Sequence, residues 1–183
     1  MGEVCSLIGG GSPSRSNRTY WENGSIKWIS AKHINAEGKI STDELITEEA
    51  LNNSSTNIIS GGSAIIVSRV SVGKVARAQE EYAINQDLTG LTVKNKDTLD
   101  QKYIFYIIKQ NSGYIADNAQ ELGVRGVTRK FISQMKVPIP DILMQQKIVS
   151  NINDEASVVS NNKILIKTYE QKIKDKISEV RGE

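Results

Sequence analysis

The side chains with the clearest catalytic spacing are Asp141, Glu170 and Lys172. Pro140-Asp141 followed downstream by Glu170-Gln171-Lys172 has the order of a metal-dependent nuclease. That chemistry requires the two carboxylates to converge on one cation. No proline or glycine interrupts Ile142 to Arg181, so Glu170 and Lys172 fall inside one helix. At about 1.5 Å per residue, Glu170 stands roughly 43 Å of helix from Asp141. These residues cannot hold one ion within a chain. Phosphate loops fail similarly. Gly73-Lys74 is preceded by Ser at position 68 and followed by Val75, and Gly9-Gly10-Gly11 is followed by Ser14 where a dinucleotide fingerprint needs another glycine. The only prolines are Pro13, Pro138 and Pro140, so the Asn/Asp-Pro-Pro-aromatic run of an amino-methyltransferase is absent. His33 and Cys5 are the only residues of their kinds. They leave no zinc set and no nucleophile with its base. Cys5 reads as a small buried residue, and His33 as a hydrogen-bonding or ligand-contact group.

What remains is non-covalent recognition by cations and amides. Formal net charge is only +2 over 183 residues, but the charges are segregated. Arg15, Arg18, Lys27 and Lys32 stand against Glu22 between Gly9 and Ala36. Arg69, Lys74 and Arg77 occupy one acid-free stretch, and Arg125, Arg129, Lys130 and Lys136 occupy another, from Gly123 to Lys136. An acidic cluster, Glu37 to Glu49, opposes them. If the basic stretches meet on one face, they form the footprint that a phosphate backbone requires; if they scatter, they are ordinary solvated surface. Asn85 and Gln86 carry amides that can pair with adenine or hold a loop together.

The elements that must position these groups change character near Pro138-Ile139-Pro140. Before it, Gly9 to Pro13, Asn23-Gly24, Glu37-Gly38, Gly61-Gly62 and Leu122-Gly123 read as turns or loops. Ile26 to Ser30, Ala64 to Val67, Val72 to Ala78 and Leu88 to Val93 predict strands by β-branched content. Thr47 to Leu51 and Leu99 to Gln110 predict helices, the second capped by Asp97 or Thr98. The mixture predicts an α+β domain over residues 1–140 with a curved or barrel-like sheet and flanking helices. Residues 141–183 predict one long coiled-coil helix. Ile152, Val159, Ile166, Ile173 and Val180 recur every seventh residue, with Ala156, Tyr169 and Ile177 between them. Asn162-Lys163 is a polar break in that seam. The rod carries seven basic and seven acidic residues, Glu183 among them. It either packs back on its own domain or pairs with a second helix. Its length of roughly 60 Å against a head whose radius of gyration is about 14 Å favours pairing.

Hydrophobic content of 38% and charged content of 24% describe an ordinary globular chain. One cysteine excludes an internal disulfide and suits a reducing cytoplasm. No apolar run approaches the roughly 20 residues of a membrane span, and no signal peptide is visible at the start.

The residues also carry a family resemblance along nearly the whole chain. Gly9 to Arg15, then Tyr20-Trp21 and Ile26 to Ser30, resemble the opening segment of a target-recognition domain of type I restriction-modification specificity subunits. Gly61 to Ala78, with Ile65 to Arg69 and Val72-Gly73-Lys74-Val75, is similar to that family's central hairpin. Asn85 to Leu91 resembles its Asn-Gln-Gly-aromatic stretch, with Asp87 where glycine is usual. Gly126 to Ile132, Lys136 to Pro140 and Gln145 to Val149 resemble the passage into the conserved helix. The Pro-Leu-Pro-Pro-Leu-x-Glu-Gln junction is altered here to Pro138 through Gln145.

The resemblance implies a non-catalytic subunit that reads one half of a bipartite target in double-stranded DNA. Arg15, Arg18, Lys32, Arg69, Lys74, Arg77, Arg125, Arg129 and Lys130 would meet the DNA, chiefly its phosphates, with Asn85 and Gln86 as possible base readers. Ile152, Val159, Ile166, Tyr169, Ile173, Ile177 and Val180 would form the interface with a second copy or second half. Partners would be methyltransferase subunits and a restriction subunit. S-adenosylmethionine is expected only in the methyltransferase, and neither metal nor cofactor in this chain. Full specificity subunits carry two such repeats. One repeat is expected to be a natural half-subunit, the tail of a fused methyltransferase-nuclease, or a trimmed form. The rivals are a coiled-coil adaptor whose head binds protein without DNA affinity and a metal-dependent nuclease.

Overall fold

The structure is a computed structural model that describes residues 1–122 and 124–181. Gly123, from the expected Leu122-Gly123 turn, and Glu183, one of the rod's acids, lie outside the described residues. The chain divides into two compact units, Met1–Gln145 and Gln146–Glu183.

The first unit begins with β1 (Cys5–Gly9), β2 (Ile26–Ile29) and β3 (Leu45–Ile46). Next come α1 (Glu48–Asn52), β4 (Asn57–Ile59), β5 (Ala64–Val67), β6 (Val75–Arg77), β7 (Tyr82–Ile84) and β8 (Leu88–Val93). It ends with α2 (Gln101–Gln110), α3 (Ser112–Asp117), β9 (Gln120–Leu122), β10 (Val124–Gly126) and α4 (Arg129–Gln134). The 40-residue α5 (Ile142–Arg181) starts in the first unit and makes up the second.

Two four-stranded sheets carry the fold, in the orders β1-β8-β5-β6 and β3-β2-β7-β4. Among the described residues each keeps two edge strands, so the α+β class holds but no closed barrel forms. The main core lies between the sheets, where Ile29, Ile59, Ile65, Ile84 and Leu88 are all buried. Gly90 lets the sheets approach, since a Cβ there would stand 2.4 Å from the Ile59 side chain. A smaller cluster of Trp28, Ile46, Ala50 and Ala83 lies on the other face of the second sheet, with Trp21 packed against it.

Sequence expectations and structure differ at several boundaries. The expected strand from Val72 to Ala78 shortens to β6, because residues 70–74 form the hairpin tip and Gly73 takes a φ of +95°. Gly9 is not a loop residue but the last residue of β1, paired with Thr89. The cap of α2 is neither Asp97 nor Thr98 but Asp100, whose carboxylate accepts the N–H groups of Lys102 (2.7 Å) and Tyr103 (2.9 Å). Asp100 wins because the first turn then buries Tyr103 and Ile104. Its own N–H donates to Oε1 of Gln145 at 2.9 Å. Gln145 is fully buried, and its Nε2 donates to the carbonyls of Thr98 (3.0 Å) and Pro140 (2.7 Å). One side chain at the start of α5 therefore satisfies three backbone groups of the domain.

Along α5 itself, Asp141 caps the first turn by accepting the Met144 N–H at 2.9 Å. Ile166, Tyr169, Ile173 and Val180 are 58%, 55%, 59% and 79% exposed, so the apolar seam is uncovered in the single chain. Val159 and Ile177 are exposed with them, and Ile152 is half-buried.

Candidate nucleic-acid interface

β2 and β7 are parallel neighbours, with Trp28 opposite Ala83 and Ile29 opposite Ile84. Their C-terminal ends therefore release two loops, residues 30–34 and 85–87, on the same side. The chain leaving β1 comes to that side as well. Gly11 N–H donates to the Ile84 carbonyl at 3.1 Å, and a Cβ on Gly10 would lie 1.8 Å from the same oxygen. Only glycine permits that approach. The β5–β6 hairpin reaches the same end, since Val67 stands opposite Leu88 at the start of β8. β10 joins through a bridge between Gly126 and Arg69.

This arrangement brings together six of the nine cations expected to meet DNA. Arg15 and Lys32 meet at Glu44, which Arg15 pairs with directly and Lys32 approaches at 2.5 Å. The Arg15 guanidinium also lies 3.4 Å above the Trp21 ring, and Trp21 meets Trp28 edge-to-face at 5.4 Å. Such a stack fixes the cation without neutralising it. His33 completes the group. Its Nδ1 accepts the Ser30 N–H at 3.0 Å, which leaves Nε2, 3.4 Å from Glu44, to carry the proton. Burial lowers the His33 pKa and Glu44 only partly restores it, so the ring is neutral near pH 7. For Glu44, burial is the largest influence and acts upward. Arg15 and Lys32 together outweigh it and hold the carboxyl below its ordinary value.

A second group surrounds the hairpin. Arg69 lies 4.0 Å from Asp87, Lys74 donates to the Ile34 carbonyl at 3.3 Å, and Arg125 donates to the Ala116 carbonyl at 3.3 Å. Arg129 opens α4, which Thr128 caps through the Phe131 N–H. Its guanidinium packs over Gly9, where a Cβ would come within 3.1 Å. Lys130 is the exposed next residue of α4.

Two cations stand apart from this end. Arg77 is exposed at the far end of β6, opposite Ala64. Arg18 opens a short 3-10 turn pinned to Thr47, beside the β3 residue that pairs with the first residue of β2. The register places Arg77 at the opposite end of β6, and it places Thr47, which holds the Arg18 turn, next to the opposite end of β2. Six cations, Arg15, Lys32, Arg69, Lys74, Arg125 and Arg129, thus share the loop end with carboxylates that include Glu44 and Asp87.

Residues 1–176 match the family described as type I restriction modification DNA specificity domain. The chain belongs to this family. Its relatives include the Escherichia coli type I restriction enzyme EcoR124I/EcoR124II specificity subunit, 35% identical over 88% of this chain and 41% of that protein. The Methanocaldococcus jannaschii type I restriction enzyme MjaIX specificity subunit is 30% identical over 88% of the chain and 38% of its own length. The chain spans about two-fifths of these relatives. A solved chain from a type I R-M system superposes with a TM-score of 0.71 at 20% identity, covering 87% of this chain and 38% of that one. The HsdS subunit of Thermoanaerobacter tengcongensis gives 0.69 at 20%, covering 87% and 37%. At that identity the superpositions establish the fold.

The chain is thus a type I restriction modification DNA specificity domain, and two amides of its loop end have different standing. Asn85 is buried, its Nδ2 donating to Asp87 at 2.8 Å and its Oδ1 accepting the Asp87 N–H at 3.0 Å. Both ends of that side chain are spent on the turn. Gln86 is exposed and its Oε1 accepts the Ser12 hydroxyl at 2.9 Å; among the described residues no hydrogen bond occupies its amide N–H groups. The residues that sequence reasoning missed are Glu44, Trp21 and Trp28. Glu44 looks like one more acid of a solvated cluster, and its partners lie 29 and 12 residues away. Among the described residues no group of three or more His, Cys, Asp or Glu could hold a metal ion. No described helix is long and apolar enough to cross a membrane. Burial pushes the Cys5 thiol up to about 11, which makes it a poor nucleophile.

Proposed function

We propose that this chain reads one half of a bipartite duplex target for a type I restriction-modification enzyme. The observation that carries the reading is the gathering of three separate basic stretches at one loop end of a DNA specificity domain. Arg15, Lys32, Arg69, Lys74, Arg125, Arg129 and Lys130 contact phosphates, and Gln86 is the amide best placed to reach a base edge. Arg18 and Arg77 contribute to the long-range field. Asn85 holds the reading loop rather than reading.

The seam of α5, from half-buried Ile152 to exposed Val180, pairs with a second copy or with a second half-subunit. Apolar side chains at seven-residue spacing bury their stripe only against another helix. Two readers in one assembly then recognise two half-sites, with a symmetric interrupted site for a two-fold pair. Methyltransferase subunits dock on the assembly, bring S-adenosylmethionine and perform the chemistry. A restriction subunit joins them, and the complex works in the cytoplasm. This chain supplies no metal and no cofactor.

The test is methylome sequencing of a host with and without this chain, its methyltransferase retained. The expected result is one interrupted motif that loses its methylation when the chain is removed. An unchanged methylome would refute the assignment.

A further inference from the structure

The tip of the β5–β6 hairpin carries a strained apolar side chain that the phosphate contacts do not explain. Val70 has a φ of +68°. β-branched residues are genuine outliers in that region. Ser71 N–H donates to the Arg69 carbonyl at 2.9 Å, closing a three-residue turn of the rare positive-φ form. Glycine would take this conformation without strain, yet the position holds valine and leaves it 65% exposed. The tip is also held firmly. Val70 N–H donates to the Arg125 carbonyl (3.2 Å), Val127 N–H to Ser68 (2.8 Å) and Ser68 N–H to Asp87 (2.8 Å). Gly73 packs against α3, where a Cβ would meet the Ser112 carbonyl at 2.7 Å. A cavity of about 260 Å³ opens beside Val70, lined also by Val72, Lys74, Ala116 and Arg125.

An apolar knob on a rigid strained turn, ringed by Arg69, Lys74 and Arg125, fits a ligand with an apolar group flanked by anions. The duplex major groove offers one: the thymine 5-methyl group between two phosphate backbones. The minor groove shows no methyl. Strain retained at a well-held position is characteristic of functional sites. We infer that Val70 reads a thymine by seating its side chain on the 5-methyl group, which makes it a specificity-determining residue. This inference rests on the DNA-binding reading above.

The test uses the full chain and a duplex enriched from a randomised pool. Each thymine of that duplex is replaced in turn by uracil, which removes only the methyl. Wild type should lose about fourfold in affinity at one position, the worth of one buried methyl. Val70→Gly should bind the thymine duplex about fourfold more weakly, show no further loss with uracil there, and melt no lower than wild type. Uracil insensitivity at every position, or a Val70→Gly protein that still discriminates, would overturn the inference and leave the DNA reading intact. Uniform loss of affinity by Val70→Gly without uracil sensitivity would mark a wedge between base steps and also overturn it. Failure to enrich any duplex would overturn the DNA reading and this inference with it.

Discussion

Glu44 occupies two of the cations assigned to DNA, so Glu44→Gln should tighten duplex binding. The side chains of Arg15 and Lys32 are 57% and 66% exposed, and that of Glu44 is 18% exposed. Exposed ion pairs are worth about 0.2–1 kcal/mol each. Losing both costs the fold at most about 2 kcal/mol, small beside the roughly 5–15 kcal/mol of a typical domain. The same interaction competes with phosphate for each cation. Removing about 1 kcal/mol of competition raises affinity about fivefold. Arg15 keeps its position in the variant, because Trp21 still lies beneath the guanidinium. The assay is a fluorescence anisotropy titration of a labelled duplex at moderate salt, with a thermal melt as control. Adding Arg15→Gln and Lys32→Gln should abolish the gain. Equal or weaker binding by a Glu44→Gln protein that melts like wild type would refute the competition argument.

Glu44 also predicts a pH dependence. Its folded-state pKa is below the ordinary carboxylate value, because Arg15 and Lys32 outweigh the opposing effect of burial. Its contribution to stability is therefore present above the unfolded value and lost as pH falls through the folded one. Between about pH 6 and pH 3, wild type should lose more stability than Glu44→Gln in urea titrations, and parallel losses would contradict the assignment. Gly10→Ala drives a Cβ into the Ile84 carbonyl, 1.8 Å away, so the melt should fall by the equivalent of about 3 kcal/mol or more. An unchanged melt would show that the loop after β1 does not need that approach. Ile166→Lys with Ile173→Lys should give monomers in sedimentation, whereas a persistent dimer would refute the seam.

The parts legible in sequence were those with repeated local signals. α5 runs from Ile142 to Arg181, all but the first residue of the stretch between Pro140 and Gly182 that holds no proline or glycine. β5 and β8 match their β-branched runs. β4 and β7 are three residues each, and their hydrogen-bonded neighbours rather than their composition define them. β1 ends in glycine, which reads as a loop until Thr89 is seen opposite it. For the site, cation clustering located three stretches but could not reveal that β2 and β7 run parallel and deliver their loops to one side. Nor could it show that Glu44 lies between Arg15 and Lys32. Asn85 and Gln86 look alike in sequence, and only the turn at Asp87 separates a buried tie from an exposed amide.

The central claim is that the gathered cations meet phosphates, and the salt dependence of duplex binding tests it most directly. For wild type, log K should fall steeply and linearly with log salt. Changing Arg125, Arg129 and Lys130 together to Glu should weaken binding and flatten the slope by up to about 2.7, at roughly 0.9 per phosphate contact. A correctly folded variant that binds as tightly as wild type, with the same slope, would contradict the account.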